Sequence, residues 1–362
     1  MNDSTDVNFD SDQMTARQQS EQAVIQPANA LRRRRRWVFR LLLLVLFVSL
    51  LANMAIFSSS LVFSGFYSGD SEPLERFHSG DKEVLSKIAV VEVSGTIMPP
   101  FTKRILRMIK RARSDDQVKG VVLAIDSPGG FVADSHQIFH RLSELSQEKP
   151  VYVSMKRMAA SGGIYVAMGA GSAGKIYAEP TTWTGSIGVI IPRYDLTEFS
   201  EKVGVTVDSL KTGEFKDSLS PFRKLTDDER NVWQAIMQES FERFLHVIAD
   251  NRRSLDYKTV KDELATGQIF TALQAKQNGL IDDIGYEDDV IKALKIKLQL
   301  KKVRVVNYQF PPNLLELVVG SVEAQRPGYQ WRALLEATVP RAMYLCSWGP
   351  EIPSWSLSID RK

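Results

Sequence analysis

Hydrophobic and polar positions divide the chain into three regimes. Residues 41–63 carry no charge, and residues 41–51 are nearly all aliphatic. A helix over such a run, rising about 1.5 Å per residue, covers the roughly 30 Å hydrocarbon core of a bilayer. One membrane-spanning helix is therefore predicted over residues 37–63. From residue 87 the pattern alternates. Short apolar runs at 88–93, 118–125, 150–155, 176–178, 186–191 and 303–308 read as strands, and apolar residues at helical spacing mark helices at 104–112, 132–145, 159–171, 226–251 and 273–278. Apolar strands alternating with helices predict an α/β domain with a mostly parallel sheet covered on both faces. After Pro311 the rhythm stops. Apolar stretches at 314–319 and 342–345 stand among Trp331, Trp348 and Trp355, a segment expected to pack on the core.

The flanks of the apolar run give it an orientation. Residues 1–30 are polar and acidic without periodicity, and read as a disordered tail. The run of Arg32, Arg33, Arg34, Arg35 and Arg36, with Arg40 close behind, closes the segment 1–36. Positive charge before a span places the N-terminus in the cytoplasm and everything after residue 63 outside. Cleavage as a signal peptide near residues 58–60 is the alternative, but the basic leader and the apolar run are both long for one. Residues 64–84 are rich in Gly, Ser and charge and read as a stalk, with the folded domain beginning at 85. A single cysteine, Cys346, excludes an intrachain disulfide, so the core alone must hold the exported fold. The balance of 46 Lys+Arg against 43 Asp+Glu, a net charge of +3, argues against nucleic acid as a partner.

Two glycine-rich turns are candidates for chemistry. Asp126-Ser127-Pro128-Gly129-Gly130 ends a predicted buried strand, and Met158-Ala159-Ala160-Ser161-Gly162-Gly163 opens a predicted helix. Glycine lets backbone N–H groups approach a ligand without a Cβ in the way. Together the turns would supply a nucleophile, Ser161, and an oxyanion hole from the N–H groups of Gly130 and Gly162. The same small residues would equally serve close packing of a helix on the sheet. A base for the serine is not evident from spacing. His136 and His140 lie four residues apart, but Gln137 stands where a zinc-protease motif needs glutamate, so no metal is expected. No histidine occurs between Arg141 and Leu245. Lysine serves as a base only when desolvated. Lys156, Lys175, Lys202, Lys211, Lys216 and Lys224 all remain open on composition.

Five motifs narrow the choice. Residues 121–130 (VVLAIDSPGG), 158–167 (MAASGGIYVA), 184–189 (TGSIGV), 211–217 (KTGEFKD) with Ser220-Pro221, and 267–271 (GQIFT) leading to Gly279-Leu280-Ile281-Asp282 resemble the signal peptide peptidase A family. The resemblance covers about residues 87–300. It implies a ClpP/crotonase-like fold of repeated β-β-α units and a Ser–Lys serine endopeptidase, with Ser161 as nucleophile and Lys216 as general base. It also implies Gly130 and Gly162 at the oxyanion hole and Ser186 orienting the lysine. No cofactor or metal is expected. The implied substrates are signal-peptide remnants or other unfolded segments, and the implied assembly is a ring-like homo-oligomer whose dyad can be shared between subunits. Ile164 departs from the family's usual aromatic and Gln268 from its usual basic residue; the first bears on the substrate pocket. The predicted organisation is a cytoplasmic tail over 1–36, an anchor over 37–63, a stalk over 64–84, a peptidase domain over 85–300 and an extension over 301–362. Two rival readings are a non-catalytic membrane scaffold and a crotonase-type acyl-CoA enzyme; export across the membrane disfavours the latter.

Overall fold

The computed structural model describes residues 40, 42–50, 72–310 and 342–345. Two compact units divide the chain, Met1–Ser68 and Gly69–Lys362. In the first, residues 42–50 are helical with exposed apolar side chains, and the rest of the predicted span lies outside the described residues apart from Arg40. Among the described residues no helix is long and apolar enough to cross a membrane.

The second unit is built on a nine-stranded, mostly parallel sheet. Its strands are β1 (Leu74–Gly80), β2 (Lys87–Ser94), β3 (Val118–Ser127), β5 (Val151–Ala160), β6 (Ile176–Ala178), β7 (Trp183–Gly185), β8 (Ile269–Thr271), β9 (Asp283–Ile284) and β10 (Arg304–Gln309). The order is β1-β10-β2-β3-β5-β6-β9, with β7 continuing beside the end of β5 and carrying β8 on its far edge. Only the β1–β10 and β7–β8 pairs of this sheet are antiparallel. A separate antiparallel pair joins β4 (Gly129–Phe131) to β11 (Met343–Leu345).

Side-chain alternation explains why β2 and β3 are apolar throughout. Ala89, Val91, Val93, Val121, Leu123 and Ile125 enter the large core on one face, while Ile88, Val90, Val122 and Ala124 enter a smaller core on the other. A strand covered on both faces needs apolar residues at odd and even positions alike. The large core is closed by α1 (Phe101–Ser114), α2 (Val132–Glu148), α3 (Gly162–Ala167) and α4 (Asp227–Asn251), the smaller by α5 (Glu287–Lys297) through Val290, Ile291 and Leu294. Thr226 and Glu229 form a capping box that starts α4, with Asp227, Asp228 and Glu229 in the first turn where the helix dipole favours them.

Three expectations need correction. Residues 74–80, read as part of a stalk, form β1. Their alternating half-buried and exposed positions mark an edge strand, paired to β10, which the surrounding charge had masked. The helix expected from 159 begins at Gly162, because Ala159 and Ala160 continue β5 by pairing with Ser127 and Gly185. The strand expected at 186–191 does not form. The strand is Trp183–Gly185, Ser186 turns the chain away at φ 49°, and only Ile190 makes an isolated bridge, to Met343. At the C-terminal end, residues 342–345 pack on the core as expected; residues 314–319, Trp331, Trp348 and Trp355 lie outside the described residues.

Candidate active site

The parallel neighbours β3, β5 and β7 end side by side, and each ends in a glycine- or serine-bearing turn. Ser127 pairs with Ala159, and Ala160 with Gly185, so Gly129–Gly130, Ser161–Gly163 and Ser186 gather at one end of the sheet. Loops at the carboxyl ends of parallel strands are where α/β folds hold ligands.

Ser161 sits between β5 and α3 with φ 53° and ψ −111°, a backbone conformation rare for a residue with a Cβ. Two hydrogen bonds hold it there: its N–H donates to Gly185 O at 2.8 Å, and its own carbonyl accepts from Tyr165 N–H at 3.0 Å. The residue is 1% exposed, yet its Oγ has no hydrogen-bond partner. Strain and an unpartnered buried hydroxyl together cost stability, and both leave the oxygen available to another molecule.

The two glycine turns touch one another. A Cβ on Gly129, at φ +101°, would fall 2.6 Å from Gly162 N, and a Cβ on Gly162 would fall 3.0 Å from Gly129 Cα and 3.1 Å from Gly130 N. No side chain fits between these backbones. Gly163 approaches Ser127 in the same way, its Cβ position lying 3.0 Å from Ser127 O. The structure therefore brings Ser161, Gly162 and Gly130 together. Ser186 stands half-buried at the end of the neighbouring strand, its N–H donating to Gln268 O at 2.7 Å.

Lys216 makes no hydrogen bond to Ser161 Oγ, which has no partner. It lies exposed in the one-turn helix Glu214–Asp217. Of the other lysines, Lys175 and Lys211 are committed to ion pairs with Asp282 at 3.0 Å and Asp217 at 2.7 Å. Lys156 pairs with Glu287 at 2.8 Å. Burial depresses the pKa of Lys156, but the hydrogen bond and charge of Glu287 outweigh it and hold the ammonium above its ordinary range, the wrong direction for a base. Lys202 and Lys224 are exposed.

The histidines take structural positions. His136 Nδ1 and the Tyr165 hydroxyl share a hydrogen bond of 2.8 Å, and burial, reinforced by Arg243 and His140, pushes His136 below its ordinary value. His140 lies 3.6 Å from Glu144, and His246 packs its ring on Tyr257. Among the described residues no group of three or more His, Cys, Asp or Glu is placed to hold a metal ion.

Two features beside the site escaped sequence reasoning. Ser135 Oγ is buried without a hydrogen-bond partner and lies 2.6 Å from the Cβ position of Gly162. An aromatic cluster of the core also adjoins the turns: Tyr165 stacks on Tyr344 at 4.9 Å between ring centroids, and Phe244 meets Tyr165 at 5.0 Å and Tyr344 at 4.6 Å. Its members are scattered along the chain, so no local pattern announces it. The nearest signal was the apolar stretch at 342–345.

Comparisons with known proteins bear on the family. The sequence profile of peptidase family S49 matches residues 143–301, and that of Clp protease matches residues 78–184. The Enterococcus faecium protein named "Putative signal peptide peptidase SppA" is 38% identical over 205 residues, which are 56% of this chain and 58% of that protein. The Synechocystis protein named "Putative protease slr0021" is 37% identical over 236 residues, 65% of this chain and 83% of that protein. Protease 4 of Haemophilus influenzae is 34% identical over 234 residues, 62% of this chain and 37% of that protein. With most of a related protease covered at this identity, and with the motif turns assembled on a ClpP-like sheet, the chain belongs to peptidase family S49, the signal peptide peptidase A family of serine proteases.

Proposed function

We propose that this protein is a membrane-anchored Ser–Lys endopeptidase that hydrolyses extended, unfolded segments such as signal-peptide remnants outside the cytoplasmic membrane. The observation that carries the reading is Ser161: a buried, unpartnered hydroxyl on a strained turn, backed by glycine turns with no room for a side chain. In this mechanism Ser161 Oγ attacks the scissile carbonyl while Lys216 takes its proton, and the N–H groups of Gly130 and Gly162 stabilise the developing oxyanion. The lysine returns the proton to the leaving amine, then deprotonates the water that hydrolyses the acyl-enzyme. Ser186 orients the lysine. None of these steps calls for a metal or cofactor.

The base comes from a neighbouring subunit. Lys216 is exposed in the single chain while Ser161 lacks a partner, and burial against a second copy would supply the desolvation an amine needs to act as a base. Residues 37–63 anchor the chain with its N-terminus in the cytoplasm, on the charge asymmetry of the flanks.

Mixing variants tests the dyad and its sharing together. Ser161→Ala and Lys216→Ala proteins, each assayed alone on an unfolded polypeptide, are expected to lose at least about 100-fold in activity, on the scale of removing a catalytic acid–base group. Co-assembled, the two should regain a measurable fraction, because some interfaces then pair an intact serine with an intact lysine. Full activity in Lys216→Ala removes this lysine as the base, and no regain on mixing confines the dyad to one chain.

A further inference from the structure

A backbone conformation as costly as that of Ser161 persists only where its surroundings over-determine it. Much of that restraint comes from the three-residue strand β7. It runs parallel to β5, with Ala159 opposite Thr184 and Ala160 opposite Gly185, and antiparallel to β8, with Thr184 opposite Phe270 and Gly185 opposite Ile269. Three consecutive residues then each hold one group of a neighbour. The Thr184 hydroxyl donates to Ala159 O at 2.6 Å, Gly185 O accepts the Ser161 N–H at 2.8 Å, and Ser186 N–H donates to Gln268 O at 2.7 Å. Restraint therefore runs from residues 268–270 through 184–186 to 159–161.

A planar peptide leaves only two soft torsions per residue, so a backbone is fixed by fixing its successive peptide planes. The plane of 159–160 is tied through Ala159 O to the Thr184 hydroxyl, and that of 160–161 through the Ser161 N–H to Gly185 O. The plane of 161–162, which carries the Gly162 N–H, is tied through Ser161 O to the Tyr165 N–H at 3.0 Å. Two of these three ties are main chain to main chain, and a side chain supplies the third. Thr184 and Ala159 are both fully buried, so no water stands in for the hydroxyl if it is removed.

We propose that Thr184 is a positioning residue for the nucleophile: its hydroxyl fixes the 159–160 peptide and so sets where Ser161 Oγ and the Gly162 N–H stand. The inference rests on the peptidase reading. Valine has the shape of threonine without the hydroxyl, and it leaves Ala159 O short of this donor in a dry core. The released peptide can then rotate, and Ser161 relaxes toward an ordinary backbone. A misplacement of about 1 Å at a reacting group costs on the order of 100-fold in rate. Thr184 acts through Ser161 and not on substrate, so the loss falls on kcat and not on KM.

Thr182 supplies the control. It stands just before β7, is also fully buried, and its hydroxyl donates to Met155 O at 3.1 Å and to Lys156 O, the same chemistry further from Ser161. Full-length wild type, Thr184→Val, Thr184→Ser and Thr182→Val are compared for Tm and for hydrolysis of an unfolded polypeptide. The rate at which a fluorophosphonate labels Ser161, located by mass spectrometry, is measured on each. Thr184→Val is expected to lose at least about 10-fold in kcat with KM within about twofold of wild type, and to be labelled correspondingly more slowly. Thr184→Ser keeps the hydroxyl and should recover most of the rate. Thr182→Val should lose as much Tm as Thr184→Val and keep its rate. If Thr184→Val does not fold, Thr184→Ala takes its place in every comparison. Equal losses of rate in the two valine variants, or labelling of Thr184→Val at the wild-type rate, overturn the positioning role and leave the peptidase reading standing. A wild type that neither hydrolyses the polypeptide nor is labelled at Ser161 overturns the peptidase reading itself, and the positioning role with it.

Discussion

Gly129 shows how little freedom the site leaves a single residue. At φ +101° any L side chain is strained, and a Cβ would also lie 2.0 Å from Tyr344 O and 2.6 Å from Gly162 N. Left-handed backbone costs a non-glycine residue about 1–2 kcal/mol before any clash is counted. Gly129→Ala should therefore lower Tm by several degrees and abolish hydrolysis, as a thermal melt and a peptide assay on one preparation will show. Ser135 makes the opposite case. Its Oγ is buried without a partner, so Ser135→Ala removes an unsatisfied group and should leave Tm unchanged or slightly raised. Ser135→Val should lower both Tm and activity, since its added bulk presses toward Gly162, whose Cβ position would lie 2.6 Å from the present oxygen. The turns that gather Ser161, Gly130 and Gly162 stand out in the sequence because small residues carry their own signal. For the proposed base no such signal exists, since nothing in composition distinguishes one lysine from another and only the family motif points to Lys216. The Tyr165–Phe244–Tyr344 cluster has no local signal because it is a meeting in space of residues from three distant segments.

Elements were read well where two faces are buried and poorly where one edge is free. The runs that became β2, β3 and β5 announce themselves by continuous apolar sequence, whereas β1 has only half-buried alternation and was taken for a linker. The segment carrying Lys216 depends on a polar anchor that periodicity also cannot show. Arg223 hydrogen-bonds Asp217 at 2.7 Å and pairs with Glu229, which itself closes the capping box at the start of α4, while Trp233 Nε1 donates to Ser218 Oγ at 2.9 Å. The hydrogen bond from Arg223 is the main cause that holds Glu229 down to about 2, against an ordinary 4.5. A carboxylate depressed by folding stabilises the fold fully above its unfolded pKa, and that contribution is lost as pH falls through the folded value. The wild-type anchor should thus hold from neutrality to near pH 4.5 and fail progressively toward pH 2. Arg223→Ala removes the main cause of the depression and leaves the buried carboxylate with its Thr226 hydrogen bond but no ion-pair partner. Its acid-unfolding midpoint, followed by circular dichroism, should move to higher pH. Its peptidase activity at neutral pH should fall further than its Tm suggests, because the Lys216 segment loses its tether.

The surface around that segment is what a lone subunit should not display. Tyr194, Val203, Val205 and Val207 are exposed, Phe199 is 63% exposed, Leu210 is fully exposed, and Phe215 beside Lys216 is also open. Single exposed apolar side chains are ordinary, but these seven large ones along one segment of 22 residues mark a candidate association site. The single chain leaves these apolar side chains without cover and the Ser161 hydroxyl without a hydrogen-bond partner. On the proposed reading, a second copy packed against residues 194–215 would cover Phe215, desolvate Lys216 and place it at a subunit boundary, where it would meet the Ser161 of a neighbour. Phe199→Glu with Leu210→Glu puts two charges into that contact. The pair should leave the Tm of the isolated subunit nearly unchanged, since both side chains already face solvent and surface substitutions rarely shift stability by more than about 0.5 kcal/mol. Sedimentation velocity should then find monomers, and hydrolysis per subunit should fall with assembly and recover as protein concentration is raised. Monomers with full activity at all concentrations would show that Ser161 finds its base within its own chain, and the exposed apolar stretch would then need an occupant other than a second subunit.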